Sequence, residues 1–281
     1  MSRLFPPLPP LSFPPFLASL TTLPSLTTLP RLPSVEQCIQ AFDRSLRVLA
    51  TEARASRPYP ADACPPDTHP ADPQLAATHP AGRHSANPAT ANSDAADAPP
   101  AAPHPAGLPS ADRLRGRDPA GLMRVNHTGE VCAQALYQGQ ALFARSANTR
   151  ALLLHAAQEE WDHLGWCQQR LRELDSRPSL LNPLWYAGSF ALGMASAMAG
   201  DRWNMAFLVE TERQVERHLA GHLERLPDSD VRSRAIVAAM ATEEAEHADA
   251  ALAHGAAHLP GPARAIMRGS ARLMTATSYW I

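Results

Sequence analysis

Two Glu-x-x-His pairs are the residues of this sequence whose types and spacing best suit metal chemistry. They are Glu160–His163 and Glu244–His247, and no other glutamate has a histidine three positions later. Residues three apart lie side by side on a helix, so each pair can present a carboxylate and an imidazole to one metal ion. Each pair belongs to a Glu-Glu-x-x-His run, which indicates an internal repeat.

Two single glutamates are placed to complete these pairs. Glu130 and Glu210 each lie 17 residues before a predicted hairpin turn, near Ala147 and Pro227, and the pairs begin 13 and 17 residues after those turns. At a rise of ~1.5 Å per residue, the members of each set reach nearly the same height in their hairpin. Ferritin-like carboxylate bundles have this pattern, with one Glu from each of two helices and a Glu-x-x-His from each of the other two.

Four carboxylates and two imidazoles suit a pair of first-row metal ions that change oxidation state, since carboxylates can bridge two ions. Iron is the predicted metal and manganese the alternative, whereas zinc favours fewer ligands and more thiolate or imidazole. By position, Glu160 and Glu244 are the predicted bridges. Tyr137, two turns after Glu130, either reaches the site or is an ordinary core tyrosine. The predicted ligands are Glu130, Glu160, His163, Glu210, Glu244 and His247.

Long helices must position these ligands, and the sequence from residue 112 to 281 predicts an all-α domain. Asp118 and Pro119 are a predicted N-cap and first residue, and Asp201 and Asp228 are predicted N-caps of later helices. The expected architecture is a ferritin-like four-helix bundle with a crossover helix and a C-terminal helix that follows Pro260. The four bundle helices are predicted at about 118–145, 149–174, 201–226 and 228–254.

Residues 178–200 carry no charged side chain and are long enough to span a bilayer at roughly 34 Å as a helix. A span here would place Glu160 and Glu210 on opposite sides of a membrane, so the segment is predicted to be the crossover. A stripe of alanines at four-residue spacing predicts close helix packing. The rest of the segment is apolar and forms either a buried core helix or a surface for a membrane or lipid-like substrate. The stripe comprises Ala187, Ala191, Ala195 and Ala199.

The N-terminal part has a different composition. Residues 1–33 contain 9 of the 28 prolines and 58–110 contain 13, and proline interrupts helices and strands. We therefore predict a disordered leader (1–33) and a disordered Pro/Ala-rich insert (56–111). Between them, residues 34–55 predict an amphipathic helix that is capped by Ser34 and belongs to the bundle. A net charge of −2 argues against a nucleic-acid partner, and four cysteines without CxxC spacing argue against a disulfide or zinc role.

Several long motifs resemble the demethoxyubiquinone hydroxylases of ubiquinone biosynthesis, and the bacterial members in particular. They are Leu-Met-Arg-Val-Asn-His-Thr-Gly-Glu at 122–130, Glu-Glu-Trp-Asp-His at 159–163, Leu-Asp-Ser-Arg-Pro-Ser-Leu-Leu-Asn-Pro-Leu-Trp-Tyr at 174–186 and Glu-Thr-Glu-Arg-Gln at 210–214. The resemblance covers residues 114–281 and, more loosely, the helix at 34–55.

This resemblance implies a specific reaction and place of action. A polyprenyl-methyl-methoxy-benzoquinol (demethoxyubiquinol) would be hydroxylated with O₂ at two iron ions per chain, held by the same six residues with Glu160 and Glu244 bridging. The enzyme would sit peripherally on the cytoplasmic face of the bacterial cell membrane, with other ubiquinone-biosynthesis proteins as candidate partners. Two alternatives stay open at this point: a ferritin-like iron-binding protein without an organic substrate, and a structural bundle without metal, which leaves the matched heights unexplained.

Overall fold

The computed structural model describes residues 32–65 and 118–281. Within these ranges the chain is all helical, as predicted, and a short 3-10 helix spans Pro60–Ala63. The helices are α1 (Val35–Ala50), α2 (Pro119–Phe143), α3 (Ala147–Glu173), α4 (Asn182–Met198), α5 (Asp201–Arg225), α6 (Val231–Ala253) and α7 (Gly261–Ser278). Helices α2 and α3 form one hairpin of the four-helix bundle, α5 and α6 form the other, and α4 is the crossover between them.

Two of the predicted helix starts are confirmed. Ser34 and Gln37 form a reciprocal capping box at the start of α1. The Asp118 carboxylate accepts hydrogen bonds from the backbone N–H groups of Ala120 and Gly121 at the start of α2, with proline as the first helical residue. Both starts therefore follow from local side-chain chemistry that is visible in the sequence.

The other two predicted N-caps were wrong. Asp201 is already the first residue of α5, and its carboxylate instead accepts backbone hydrogen bonds from Arg145 and Ser146 at 2.9 and 2.8 Å. It therefore ties α5 to the turn between α2 and α3. The cap of α6 is Asp230 and not Asp228, since its side chain accepts from the Ser233 N–H at 2.9 Å.

The bundle core consists of two apolar clusters with a polar layer between them. One cluster includes Leu122, Leu171 and Met240, and the other includes Leu136 and Leu153. Along each of α2, α3, α5 and α6, the glutamate-bearing turn lies between a residue of one cluster and a residue of the other. Burial of the apolar side chains stabilises the bundle at both ends, and the carboxylates are thereby held in its dry middle.

The crossover helix α4 packs directly against α2, backbone to backbone. A Cβ atom on Gly139 would lie 2.4 Å from the Phe190 carbonyl oxygen, and one on Gly193 would lie 2.3 Å from the Leu136 carbonyl oxygen. The predicted alanine stripe was wrong as the packing face, because all four alanines are exposed and Gly193 lies at the contact instead. The opposite side of α4 exposes large apolar side chains: Leu184, Leu192 and Met198.

The crossover assignment of this segment agrees with its length. Helix α4 has 17 residues, and within the described ranges no helix is both long and apolar enough to cross a membrane.

Gly193→Ala is expected to destabilise the bundle, because the added methyl group would overlap backbone atoms of α2 that cannot rotate away. Overpacking of this kind costs about 1–3 kcal/mol. Gly188→Ala is the matched control in the same helix, since nothing lies within 4 Å of its Cβ position and alanine favours the helix by about 1 kcal/mol. Urea unfolding followed by circular dichroism measures both, and equal midpoints for the two variants would contradict the close packing.

The N-terminal elements differ from the prediction in two ways. Helix α1 ends at Ala50 and rests on α2 through Val48, but although Ala41 is also buried, most of the apolar face of α1 is exposed. Residues 56–65, predicted as the start of a disordered insert, lie against the bundle with Tyr59 and Ala61 buried. The predicted leader up to residue 31 and the insert from residue 66 onward lie outside the described residues.

Candidate metal centre

Four helices bring their carboxylates and histidines together in the polar layer of the bundle. Two groups of four potential metal ligands form there, and within each group the ligand atoms lie within 4.8 Å of one another. Glu160 from α3 and Glu244 from α6 belong to both groups. The first group adds Glu130 and His163, and the second adds Glu212 and His247. The arrangement therefore has two adjacent positions for metal ions that share two carboxylates.

The two histidines face the cluster with the same ring nitrogen. His163 Nδ1 lies 2.9 Å from Glu160 Oε2 and 3.5 Å from Glu244 Oε1. His247 Nδ1 lies 3.2 Å from Glu160 Oε1. Both Nδ1 atoms are thus placed to act as ligands, and both Nε2 atoms point outward.

Each outward Nε2 atom contacts the first glutamate of a Glu-Glu-x-x-His run. That glutamate belongs to the opposite repeat from the histidine. His163 Nε2 lies 2.9 Å from Glu243 Oε2, and His247 Nε2 lies 3.0 Å from Glu159 Oε2. An imidazole that donates its outer N–H to a carboxylate keeps its other nitrogen free as a ligand and its ring fixed. The first Glu of each Glu-Glu-x-x-His run was the sequence signal for these partners, but it does not reveal the crossed pairing.

The structure places five of the six predicted ligands in the cluster and leaves Glu210 outside it. Glu210 accepts a hydrogen bond from Gln214 at 2.7 Å and lies 3.8 Å from Arg217. Glu212, two residues later, is fully buried and takes the place that was predicted for Glu210. Residues two apart point about 200° away from each other around a helix, so only one of them can face the core.

The phase of the buried residues on α5 could have identified Glu212 from the sequence. Met205, Leu208, Leu219 and His222 are buried, and Glu212 continues their spacing of three and four residues whereas Glu210 does not. Glu210 was predicted from its height along the helix. The heights of Glu210 and Glu212 differ by only ~3 Å, so height does not show which of the two is the ligand.

The part of the chain that carries this site matches a known protein family. A family model described as ubiquinone biosynthesis protein COQ7 matches residues 117–278, which include all residues of the two ligand groups. The chain belongs to the COQ7 family. The match begins at residue 117, after α1 and the segment that follows it, so these N-terminal elements lie outside the family model.

Relatives of this COQ7-family chain carry a specific name. A protein of Ralstonia pickettii named 3-demethoxyubiquinol 3-hydroxylase is 50% identical over 247 residues, which cover 88% of this chain and 100% of the relative. A protein of Cupriavidus pinatubonensis with the same name is 56% identical over 243 residues, which cover 86% and 98%. A third, from Nitrosomonas europaea, is 58% identical over 168 residues, which cover 60% and 81%.

Burial and the charges of neighbouring side chains shift the pKa values of the glutamates and histidines in the COQ7-family cluster. Burial, reinforced by the charge of Glu160, raises the pKa of Glu130 well above its ordinary value, and burial together with Glu244 does the same for the pKa of Glu212. Burial alone would also raise the pKa of Glu160, but the adjacent His163 outweighs it and holds that pKa well below its usual range. Burial opposes the charged form of His247, yet the surrounding carboxylates raise its pKa to about 12.

Two buried atoms show that the donor set fits a metal ion. Glu244 Oε2 and His247 Nδ1 are both buried and form no hydrogen bond, although Glu160 Oε1 lies 3.2 Å from the nitrogen, and the two atoms lie 3.7 Å apart. A buried polar atom that is left unpaired is costly, and an ion between these two would coordinate both. Once all four are deprotonated, the carboxylates of the COQ7-family cluster would carry the charge that two divalent ions would neutralise.

Tyr137 reaches the cluster, which resolves the two readings of this residue in favour of contact. Its hydroxyl donates to Glu212 Oε1 and lies 3.3 Å from Glu160 Oε1. Tyr137 is fully buried in α2, so its ring is also part of the apolar cluster around Leu136. It therefore supports the orientation of the one carboxylate that α5 contributes.

Metal binding to the apo protein is expected to release protons. The raised pKa values of Glu130 and Glu212 favour the protonated carboxyl groups in the metal-free protein, and carboxylates must lose these protons to bind a metal. The apparent affinity should therefore rise with pH by about tenfold per unit for each proton released. Calorimetric titration in two buffers of different ionisation enthalpy counts the protons, and a count of zero at pH 7 would contradict this protonation of the cluster.

Proposed function

We propose that this chain is a di-iron monooxygenase that hydroxylates demethoxyubiquinol with O₂ in ubiquinone biosynthesis. One observation carries the proposal: two overlapping groups of buried ligands share Glu160 and Glu244. Membership of the COQ7 family and relatives named 3-demethoxyubiquinol 3-hydroxylase support the substrate. The proposed ligand set contains Glu212 in place of Glu210: Glu130, Glu160, His163, Glu212, Glu244 and His247.

The reaction places one oxygen atom of O₂ in an aromatic C–H bond of the quinol ring and reduces the other to water. Two electrons and two protons complete the balance. When bound, two iron ions supply the electrons for O₂ reduction and activate the oxygen atom that enters the ring. The residues of the chain hold the ions, exclude bulk water and supply positions for proton transfer.

The ligands have distinct roles in this proposal. Glu160 and Glu244 would each help to hold both ions, because among the described residues these two belong to both groups. Glu130 and His163 would complete the ligands of one ion, and Glu212 and His247 those of the other. The Tyr137 hydroxyl donates to Glu212 and thereby holds this carboxylate in the cluster while providing a proton-bearing group beside it.

The site is closed on most sides, which suits a reaction in which activated oxygen must be kept away from bulk solvent. Glu130, Glu160, His163, Glu212 and Glu244 are all buried. His247 is the ligand nearest solvent, with 11% of its side chain exposed. It borders a polar cavity of about 410 Å³ that is also lined by Arg57, Glu159 and Glu243. A dry environment strengthens the electrostatic interactions among these groups.

We propose that the protein meets its lipid-like substrate at the cytoplasmic face of the bacterial cell membrane, as a peripheral protein. Large apolar side chains are exposed on three helices, and such surfaces suit contact with lipid. The four cysteines are free, which is compatible with a reducing compartment. The exposed side chains are Val35, Ile39, Phe42 and Leu46 of α1, Leu184 and Leu192 of α4, and Ile266 and Leu273 of α7.

A turnover assay with defined metal tests the proposal. The metal-free full chain would be loaded anaerobically with iron or with manganese, then mixed with demethoxyubiquinol in vesicles, a reductant and O₂. We expect hydroxylated quinol, detected by mass spectrometry, from the iron-loaded protein and not from the manganese-loaded protein. Full iron loading and O₂ consumption without this product would contradict the proposal and favour a ferritin-like iron-binding protein.

A further inference from the structure

The segment that follows α1 lies across the outside of the metal centre. We call residues 52–65 the strap. The backbone N–H of Ala53 donates to Gln168 Oε1 at 2.8 Å, and that of Ser56 donates to Asp162 Oδ1 at 2.6 Å. Ala61 is fully buried near the far end of the strap. The strap is thus fixed to α3 along the same turns that carry Glu160 and His163.

Arg57 is the residue of the strap that reaches the metal centre. Its Nε donates to Asp162 Oδ2 at 2.7 Å and its Nη1 donates to Glu243 Oε2 at 2.6 Å. The guanidinium also lies 4.8 Å from the centre of the Trp166 ring. A planar fork that binds two carboxylates and stacks on an aromatic ring is a geometry that arginine provides and lysine does not.

Glu243 connects Arg57 to a proposed metal ligand. The same oxygen, Glu243 Oε2, contacts Arg57 Nη1 and lies 2.9 Å from His163 Nε2. The other repeat is built differently: Glu159, which holds His247, has His155 Nδ1 at 3.2 Å, and that histidine is largely exposed. Arg57 Nη2 also lies 3.4 Å from the backbone carbonyl oxygen of Glu159, but the carboxylate that Arg57 contacts is that of Glu243, which faces His163.

We propose that Arg57 is a positioning residue of the metal centre, which holds Glu243 so that His163 keeps Nδ1 directed at the cluster. The inference rests on the proposed metal centre, and it extends that centre to a segment outside the residues that match the family model. Without Arg57, the Glu243 carboxylate can rotate toward solvent and His163 loses its fixed ring orientation. Carboxylates that orient a ligand imidazole contribute about 10–100-fold to metal affinity.

A purely structural role predicts a different result. Arg57 has 34% of its side chain exposed, so the pair with Glu243 is partly screened and contributes little to folding. If Arg57 served the fold alone, its loss would change the unfolding midpoint of the metal-free protein and leave metal affinity unchanged. If it acts through Glu243, the metal affinity falls in Arg57→Gln and in Glu243→Gln alike, whatever the lost contact with the buried Asp162 does to the unfolding midpoint.

The test is an anaerobic Fe(II) titration of the metal-free full chain by calorimetry, with near-infrared magnetic circular dichroism as a second readout. Arg57→Gln should weaken one of two Fe(II) sites by about 10–100-fold and alter its ligand-field bands. Arg54→Gln is the control, because it removes the same charge from an exposed position of the strap. It should stay within about twofold of the unmodified protein.

Three further variants distinguish an effect that acts through Glu243 from an effect on folding. Glu243→Gln should weaken the same site, and Arg57→Gln with Glu243→Gln should add little further loss, since both act on one interaction. Arg57→Lys keeps the positive charge but not the planar guanidinium, so it should recover part of the metal affinity. It replaces Arg57→Gln in this test if Arg57→Gln does not fold.

The outcomes that would overturn each proposal are distinct. If Arg57→Gln binds Fe(II) with the same affinity and spectrum as the unmodified protein, the role of Arg57 is overturned. If Arg57→Gln does not fold, the same result in Arg57→Lys overturns it. Fully additive losses in the double variant would also overturn it. Failure of the unmodified chain to bind two Fe(II) ions would instead overturn the proposed metal centre.

Discussion

Glu212→Gln is expected to leave the protein folded but unable to hold both iron ions, whereas Glu210→Gln should retain both. Glu212 is buried within the ligand group of His247 and receives the Tyr137 hydroxyl, while Glu210 lies outside both groups. Glutamine has nearly the same shape as glutamate but lacks the negative charge that helps to bind a second cation. Turnover should fall by at least about 100-fold, since residues that only support ligands already contribute about 10–100-fold.

Iron content after desalting and the rate of quinol hydroxylation measure this difference. Glu210→Gln is a matched control, because it makes the same chemical change two residues away on the same helix. The assignment fails if Glu210→Gln loses iron and Glu212→Gln does not, which would restore the ligand that was predicted from helix height.

Glu244→Ala is expected to remove both iron ions, because Glu244 is one of two carboxylates shared by the two ligand groups. The helices should persist, since the apolar clusters on either side of the polar layer remain intact. Far-ultraviolet circular dichroism should therefore change little while iron content falls to near zero. Glu160→Ala should behave in the same way, as the second shared carboxylate.

Glu246→Ala is the control for this loss. It removes a carboxylate two residues from Glu244 on the exposed side of α6, so iron binding should be retained. Two tightly bound iron ions in Glu244→Ala would show that this residue does not bridge them.

Much of the fold and most of the candidate site could be predicted from local patterns. Caps such as Ser34 and Asp118 and the Glu-x-x-His spacing act within one helix, where residue spacing determines geometry. The repeat placed Glu130, Glu160 and Glu244 at matching heights without any knowledge of the tertiary structure. These features were predictable because helical periodicity converts sequence distance directly into direction and height.

Features that depend on contacts between distant segments could not be predicted in the same way. Helix height did not distinguish Glu210 from Glu212, which required the direction of the core around α5. The alanine stripe of α4 has the composition of a packing face, yet Gly193 makes the contact because only glycine allows two backbones so close.

The strap was missed for a related reason. Its proline-rich composition resembles the insert that follows, and Arg57 contacts Asp162 and Glu243 across 105 and 186 residues of sequence. The helix at 34–55 was predicted to belong to the bundle, but its amphipathic pattern does not identify what covers its apolar face, most of which is exposed. Such pairings depend on the assembled bundle and carry no signature in the local sequence.

A single-turnover reaction under ¹⁸O₂ tests the central claim most directly. The chain loaded with two Fe(II) ions, mixed with demethoxyubiquinol and ¹⁸O₂, should yield a quinol with one ¹⁸O atom in its new hydroxyl group, and Glu212→Gln should yield none. A product whose new oxygen comes from water, or iron oxidation with no hydroxylated product, would contradict the account.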